Sequence, residues 1–197
     1  KVFHFIIEVV TSMAPLLPDI SLRLFLNAAQ AADECAYSAI AYEFLKEALL
    51  IYESDISDSK AQVRSLTIIV GSLLSCTNFS TEDYEALITK VAQYSNKLLK
   101  KPDQCRMITL CSHLFWPRGA DTVAPVEGAE GPQHYSDCDR LLECMQRALK
   151  IASVCNPNLF VEILDHYVYY YENDNPIIQV RYLSGLIALI NEQLGSE

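Results

Sequence analysis

The stretch VRSLTIIVGSLL, residues 63–74, decides the fold class. Val63, Leu66, Ile69, Val70, Leu73 and Leu74 recur at spacings of three and four. On a helix with 3.6 residues per turn they line up as one apolar stripe. Further along the chain, Leu87, Val91, Tyr94 and Leu98 repeat the pattern, and so do Leu141, Leu142, Met145, Ala148, Leu149 and Ala152. No run alternates with period two, so no sheet is expected. Punctuation divides the chain into about nine helices. They are expected at residues 1–14, 19–34, 38–54, 58–77, 80–100, 102–116, 136–155, 157–173 and 176–194.

The expected helix starts rest on capping chemistry. Pro15 and Pro18 separate the first two helices. Ser80 with Asp83, and Ser136 with Asp139, have the spacing of capping boxes, in which a carboxylate three residues on reaches back to the cap amide. Asn156-Pro157 and Asn175-Pro176 each offer an Asn cap followed by a proline at the first helical position, and Pro102 does the same after Lys101. The short connections force consecutive helices to pack antiparallel. One helical hairpin per roughly 40 to 45 residues is the length of a HEAT-type repeat. The expectation is an all-α, HEAT-like α-solenoid spanning 1–197. Its interruption is WPRGADTVAPVEGAEGPQHYS, residues 116–136, with three of the six glycines, three of the eight prolines and no apolar period. This reads as a flexible loop at about 117–135 inserted in one solenoid.

Composition narrows the function. Apolar residues make up 51% of the chain and charged residues 20%, which excludes a disordered segment. The net charge of -10 speaks against nucleic acid as a partner, since phosphate contacts need a basic surface. No apolar run is long enough to span a membrane. The opening KVFHFIIEVV has no signal-peptide cleavage site and begins in mid-pattern without Met, so a piece of a longer chain is expected. Seven cysteines, an odd number at wide spacings with no CxxC pair, read as buried free thiols in a reducing, cytosolic setting.

No catalytic constellation is visible. His4, His113, His134 and His166 form no HExxH or zinc-finger spacing, and there is no phosphate loop and no GxSxG elbow. In Cys111-Ser112-His113 the outer two residues point to different helix faces, so they do not make a nucleophile and base. Neither an enzyme nor a cofactor or metal site is expected. What remains is surface. On a helical wheel Met107, Leu110, Cys111 and Leu114 form the buried stripe of the sixth helix, while Pro102, Arg106, Thr109, His113 and Trp116 share its flank. That flank carries residue types enriched at interface hot spots. A second reading has Trp116 capping the core and His113 bonding nearby.

Charge is also uneven. Residues 43–58 hold Glu43, Glu47, Glu53, Asp55 and Asp58 against Lys46, and residues 90–106 hold Lys90, Lys97, Lys100, Lys101 and Arg106 against Asp103. Two such patches can pair across a two-fold axis, or they are ordinary solvated faces.

YESDISDSKAQ (residues 52–62) and KLLKKPDQCRMITLCSHLFW (97–116) resemble the large helical subunit of retromer, the vacuolar-protein-sorting solenoid of an endosomal cargo-recovery coat. SLRLFLNAAQAADE (21–34), AYEFLKEAL (41–49) and LFVEILDHYVYYYE (159–172) extend the similarity in order along the chain. The resemblance is to the C-terminal part of that subunit. It implies a HEAT-like solenoid without enzymatic activity that cradles the small retromer subunit of metallophosphoesterase fold. It also implies self-association into a homodimer. Arg106, Thr109, His113 and Trp116 become candidates for partner binding. Glu53, Asp55, Lys97, Lys100 and Lys101 become candidates for self-association. The setting implied is the cytosolic face of endosomes, with membrane contact only through the complex. Another helical-repeat adaptor, such as a phosphatase scaffold, is the alternative.

Overall fold

A computed structural model describes residues 1–117 and 135–194. Among these residues there are nine α-helices and no strands. They are α1 (Val2–Met13), α2 (Pro18–Glu34), α3 (Ser38–Asp55), α4 (Ser59–Ser75), α5 (Thr81–Asn96), α6 (Lys101–Cys111), α7 (Cys138–Ala152), α8 (Asn158–Glu172) and α9 (Val180–Leu194), with a 3₁₀ turn, Ser112–Phe115, closing α6. The inserted loop expected at about 117–135 lies almost wholly outside the described residues.

The fold is an all-α solenoid. α2 packs on α4, α4 on α6 and α6 on α8, so the even-numbered helices form one layer. α3, α5, α7 and α9 lie behind them, each packed on its preceding even-numbered neighbour. The stripe that decides the fold class points inward: Leu66, Ile69 and Val70 have no exposed surface, and Leu73 is 1% exposed. Phe25 of α2 and Phe44 of α3 meet at 6.0 Å between ring centroids. Each such fully buried side chain contributes about 1.5–3 kcal/mol.

Polar contacts join neighbours within each layer. In the even layer, Gln30 of α2 donates to Ser72 of α4 at 3.3 Å, and the Arg106 guanidinium of α6 grips Glu162 of α8 at 2.7 and 2.8 Å. In the odd layer, the Tyr94 hydroxyl of α5 donates to Glu53 of α3 at 2.8 Å. Arg140 of α7 donates to Thr89 of α5 at 2.9 Å and lies over the Phe115 ring at 4.4 Å. One buried carboxylate ties separate segments together. Asp33, 3% exposed, accepts the backbone N–H groups of Thr77 and Asn78 at 2.8 and 3.0 Å.

Several helix ends differ from the expectation. The Ser80 cap holds: its hydroxyl accepts the Asp83 N–H at 3.1 Å and donates to the Asp83 carboxylate at 2.8 Å. The α7 cap is Asp137, not Ser136, and its carboxylate accepts the Arg140 N–H at 3.0 Å. Pro102 is the second helical residue, after a cap at Lys100. α8 starts at Asn158, with Pro157 itself at the cap position and Asn156 accepting the Asn158 N–H at 2.9 Å. Asn175 does not start α9. Its side-chain oxygen accepts the N–H groups of Ile177 and Ile178, both at 3.1 Å, and this local turn delays the helix to Val180.

α2 and α8 end without glycine. Ala36 and Asp174 take left-handed φ values of 60° and 58°. In each, its own N–H and that of the next residue close back onto the last turn, as in Tyr37 N–H to the Ala32 carbonyl at 2.9 Å. All seven cysteines are free, but Cys35 and Cys155 are exposed, which corrects the expectation that each is buried.

Candidate partner-binding surface

α6 is covered on most of its circumference, because α4, α5, α7 and α8 all pack against it. Its buried set is Gln104, Cys105, Met107, Ile108, Thr109 and Cys111. Arg106 therefore stands out as an exposed side chain in the middle of the helix, beside half-buried Leu110. Past Cys111 the backbone tightens to the 3₁₀ turn, whose three residues per turn rotate every later side chain relative to an α-helical wheel.

These two facts redistribute the expected flank. Thr109 is 3% exposed and its hydroxyl donates back to the Cys105 carbonyl at 3.0 Å. Trp116 is 4% exposed, with its ring 5.9 Å from that of Tyr170. Both side chains are largely buried, Thr109 in the wall of the groove described next, and the five residues do not form one common exposed flank. Leu110, expected on the buried stripe, instead lines a groove with Arg106, Thr109, Leu159, Glu162, Ile163 and His166. The groove, of about 260 Å³, has an apolar floor and a charged rim.

His113 belongs to the same face. Its Nε2 lies 2.8 Å from Nδ1 of His166 on α8. Tyr169 and Tyr170 enclose the ring at centroid distances of 4.9 and 5.0 Å. Burial, reinforced by the neighbouring His166, pushes the His113 imidazole down to about 4. Burial also lowers His166, opposed by Asp165 and Glu162. Just below, the Ser112 and Tyr170 hydroxyls share a hydrogen bond of 2.6 Å. Arg106 binds Glu162 with two guanidinium nitrogens, and this bond holds the Glu162 carboxyl below its usual range. Arg106 and His113 are thus brought to one α6–α8 face, with Glu162 and His166 as their counterparts. The sequence reading missed those two residues. Their signal was the four-residue spacing of Glu162 and His166 on one helix, interleaved with Leu159 and Ile163.

The candidate self-association residues lie elsewhere. Glu53 and Lys97 flank one cleft of about 160 Å³ with Tyr52, Gln62, Tyr94 and Leu98. The Tyr94 hydroxyl and then Lys90, at 3.4 Å, hold the Glu53 carboxyl below its usual range. Asp55 is exposed and accepts the Ser54 hydroxyl at 2.8 Å. Lys100 caps α6, and Lys101 donates to Gln104 at 3.0 Å. Glu53 therefore meets Lys90 within one molecule and shares a cleft with Lys97, while Asp55, Lys100 and Lys101 have no ion pair of this kind among the described contacts. Among the described residues, no group of three or more His, Cys, Asp or Glu could hold a metal ion, and no helix is long and apolar enough to cross a membrane.

The chain is similar to known proteins over nearly its whole length. The family model described as vacuolar protein sorting-associated protein 35 matches residues 1–193. The chain is 40% identical over 206 residues to vacuolar protein sorting-associated protein 35A of Arabidopsis thaliana, covering 98% of this chain and 25% of that protein. It is 42% identical over 183 residues to vacuolar protein sorting-associated protein 35 of Schizosaccharomyces pombe, covering 90% of this chain and 21% of that protein. The Dictyostelium discoideum protein of the same name is 33% identical over 195 residues, covering 96% and 23%. The chain spans about a quarter of the length of the curated relatives it matches. With the family model running almost from end to end, the chain belongs to the vacuolar protein sorting-associated protein 35 family.

Proposed function

We propose that this chain is a non-enzymatic scaffold segment of the retromer coat, and that its α6–α8 face binds the small subunit of metallophosphoesterase fold. The observation that carries the reading is the construction of that face. An exposed Arg106 clamped by Glu162 and an enclosed His113 stand beside an apolar groove floored by Leu110, Leu159 and Ile163. An arginine anchor beside a desolvated apolar pocket is how interfaces concentrate their binding energy. In this role the protein works on the cytosolic face of endosomes, retrieves cargo through the assembled coat and touches membrane only through its partners.

The cleft flanked by Glu53 and Lys97, with Asp55, Lys100 and Lys101 nearby, is the surface for self-association. Two copies related by a two-fold axis would pair these charges, each Lys97 turning toward Glu53 of the other copy, whose ion pair within its own chain is with Lys90. The triple change Lys97→Glu, Lys100→Glu and Lys101→Glu should then leave a monomer in sedimentation experiments.

Calorimetry with the purified small subunit tests the main reading. Wild type should bind, and Arg106→Ala should weaken binding by about 2 kcal/mol, as anchor truncations do. Thermal stability should change by less than about 1 kcal/mol, because the Arg106–Glu162 pair is largely exposed. Equal affinity of wild type and Arg106→Ala would move the contact away from this face. No binding by wild type would sink the proposal.

A further inference from the structure

Leu99 stands in the turn between α5 and α6 and is 85% exposed, more than any other large apolar side chain among the described residues. A single exposed leucine is ordinary on a protein surface. The setting of this one is not. Lys97, Lys100 and Lys101 are all exposed within two residues of it, while Leu98, 5% exposed, anchors the turn in the core. The turn thus holds a bare apolar side chain out in a collar of three ammonium groups.

The cleft flanked by Glu53 and Lys97 adjoins this knob. Leu98 lines the cleft, and its Cα is about 3.8 Å from that of Leu99. The floor is apolar: Tyr52 is 5% exposed, Tyr94 6% and Leu98 5%, and the two tyrosine rings lie 4.9 Å apart. The volume of about 160 Å³ is close to that of engineered apolar cavities, roughly 150 Å³, that accept a benzene-sized guest. On the α3 side the rim is acidic. The Glu53 side chain stays 53% exposed while Tyr94 and Lys90 bond it, and exposed Asp55 follows two residues later. At 85% exposure, Leu99 does not fill the cleft of its own chain.

We propose that Leu99 is the apolar anchor of self-association: the leucine of each copy enters the Tyr52–Tyr94 cleft of a second copy, and its lysine collar meets Glu53 and Asp55 on the acidic side of that cleft. The inference rests on the reading of this surface as the self-association surface, and it adds to the paired charges a contact that salt does not screen. Two observations favour a second copy as the occupant. The collar of the knob is basic and the α3 rim of the cleft is acidic, so knob and cleft are complementary in charge as well as in shape. A two-fold interface also needs projection and recess on one self-complementary patch, and here adjacent residues supply them. Both contacts then form together, side by side across the axis. An anionic bilayer also accepts a leucine among lysines, but Glu53 and Asp55 nearby and the net charge of -10 oppose it.

Sedimentation equilibrium of the purified chain reads the association. Wild type should dimerise. Leu99→Ser removes the apolar group and keeps the charge, and should weaken the dimer about a hundredfold, about tenfold for each of the two anchors. Leu99→Met should stay within about threefold of wild type. Neither should move the melting temperature, because the side chain is exposed. Gln62→Trp puts a bulky ring at the half-buried α4 side of the cleft and should weaken the dimer to a similar degree. Mixing these variants is the decisive step. The Leu99→Ser copy keeps an open cleft and the Gln62→Trp copy keeps its leucine, so together they make one intact contact that neither makes alone. The equimolar mixture should associate about tenfold more tightly than either variant by itself. A mixture no tighter than its components overturns the proposal. A dimer indifferent to Leu99→Ser also overturns it; if the triple lysine change still abolishes that dimer, the charge reading of the surface survives. A wild type that stays monomeric refutes the self-association reading itself, so the two failures are distinct. Loss of binding to phosphatidylserine vesicles in Leu99→Ser, with dimerisation intact, would assign the leucine to a membrane and overturn the proposal. Should Gln62→Trp fail to fold, the serine and methionine variants at position 99 decide by themselves.

Discussion

Asp33→Ala is the sharpest test of how the N-terminal half is held. The carboxylate is 3% exposed and accepts Thr77 N–H at 2.8 Å, Asn78 N–H at 3.0 Å and the Asn78 side-chain amide at 3.3 Å. It thereby pins the end of α2 to the connection between α4 and α5. Hydrogen bonds to a charged group contribute about 1.5–3 kcal/mol each. Thr77 and Asn78 are themselves exposed, so water can take over the released N–H groups and the low end of that range applies. The Asn78 amide also keeps its bond to the Asp33 carbonyl at 2.9 Å, which the substitution leaves intact. Two lost backbone bonds then cost about 3 kcal/mol. For a chain of this size each kcal/mol lowers the melting temperature by roughly 2–4 °C, so a fall of about 6–12 °C is expected. A thermal melt followed by far-UV circular dichroism measures it. Asp33→Asn retains one acceptor oxygen and should fall between wild type and alanine. A drop below about 2 °C for the alanine variant would refute the reasoning, because the pin would then be carried by packing alone.

Other outcomes can be checked in the same way. Ala36→Gly should raise stability by about 1 kcal/mol in a denaturant titration, since alanine bears the steric cost of its left-handed φ of 60°. Leu114→Ala, at a position with no exposed surface, should cost about 2–5 kcal/mol, whereas Leu110→Ala at the groove should cost less. Acid should weaken the fold before its carboxylates titrate: His113 is pushed down to about 4 from the usual 6.5, so the unfolded chain binds the extra proton between these values. Stability is therefore full above pH 6.5 and falls as pH drops toward 4, and His113→Gln should flatten the slope of melting temperature between about pH 6.5 and 5.

The helical class was legible because each long stripe keeps one period from end to end; Leu66, Ile69, Val70 and Leu73 are buried as the spacing requires. Helix ends were harder to read. Ala36 and Asp174 occupy positions where glycine is the usual marker, and Asn175 spends its side chain on a local turn five residues ahead of α9. The candidate face was half legible. Arg106 and His113 both meet α8, through Glu162 and His166, but a wheel drawn for a lone helix assumes one covered side. α6 has four packing partners and then winds into a 3₁₀ turn, so Thr109 and Trp116 turn inward. His166 could not be read as the companion of His113, because 53 residues separate them and only the stacking of α8 on α6 joins them.

The polar cross-links between same-layer helices have a mechanical consequence. When a stack of helices bends, material near its mid-plane hardly changes length, while the two outer faces stretch or shorten most. Arg106–Glu162 and Gln30–Ser72 lie in one layer, and Glu53–Tyr94 and Arg140–Thr89 in the other, so flexing in either direction strains directional bonds. The apolar contacts between layers can slide with little penalty by comparison. Bending stiffness is thus concentrated in a few directional links, and only the exposed Arg106–Glu162 ion pair among these four is screened by salt, so ionic strength would soften the stack at α6–α8 while leaving the part-buried links and the core untouched.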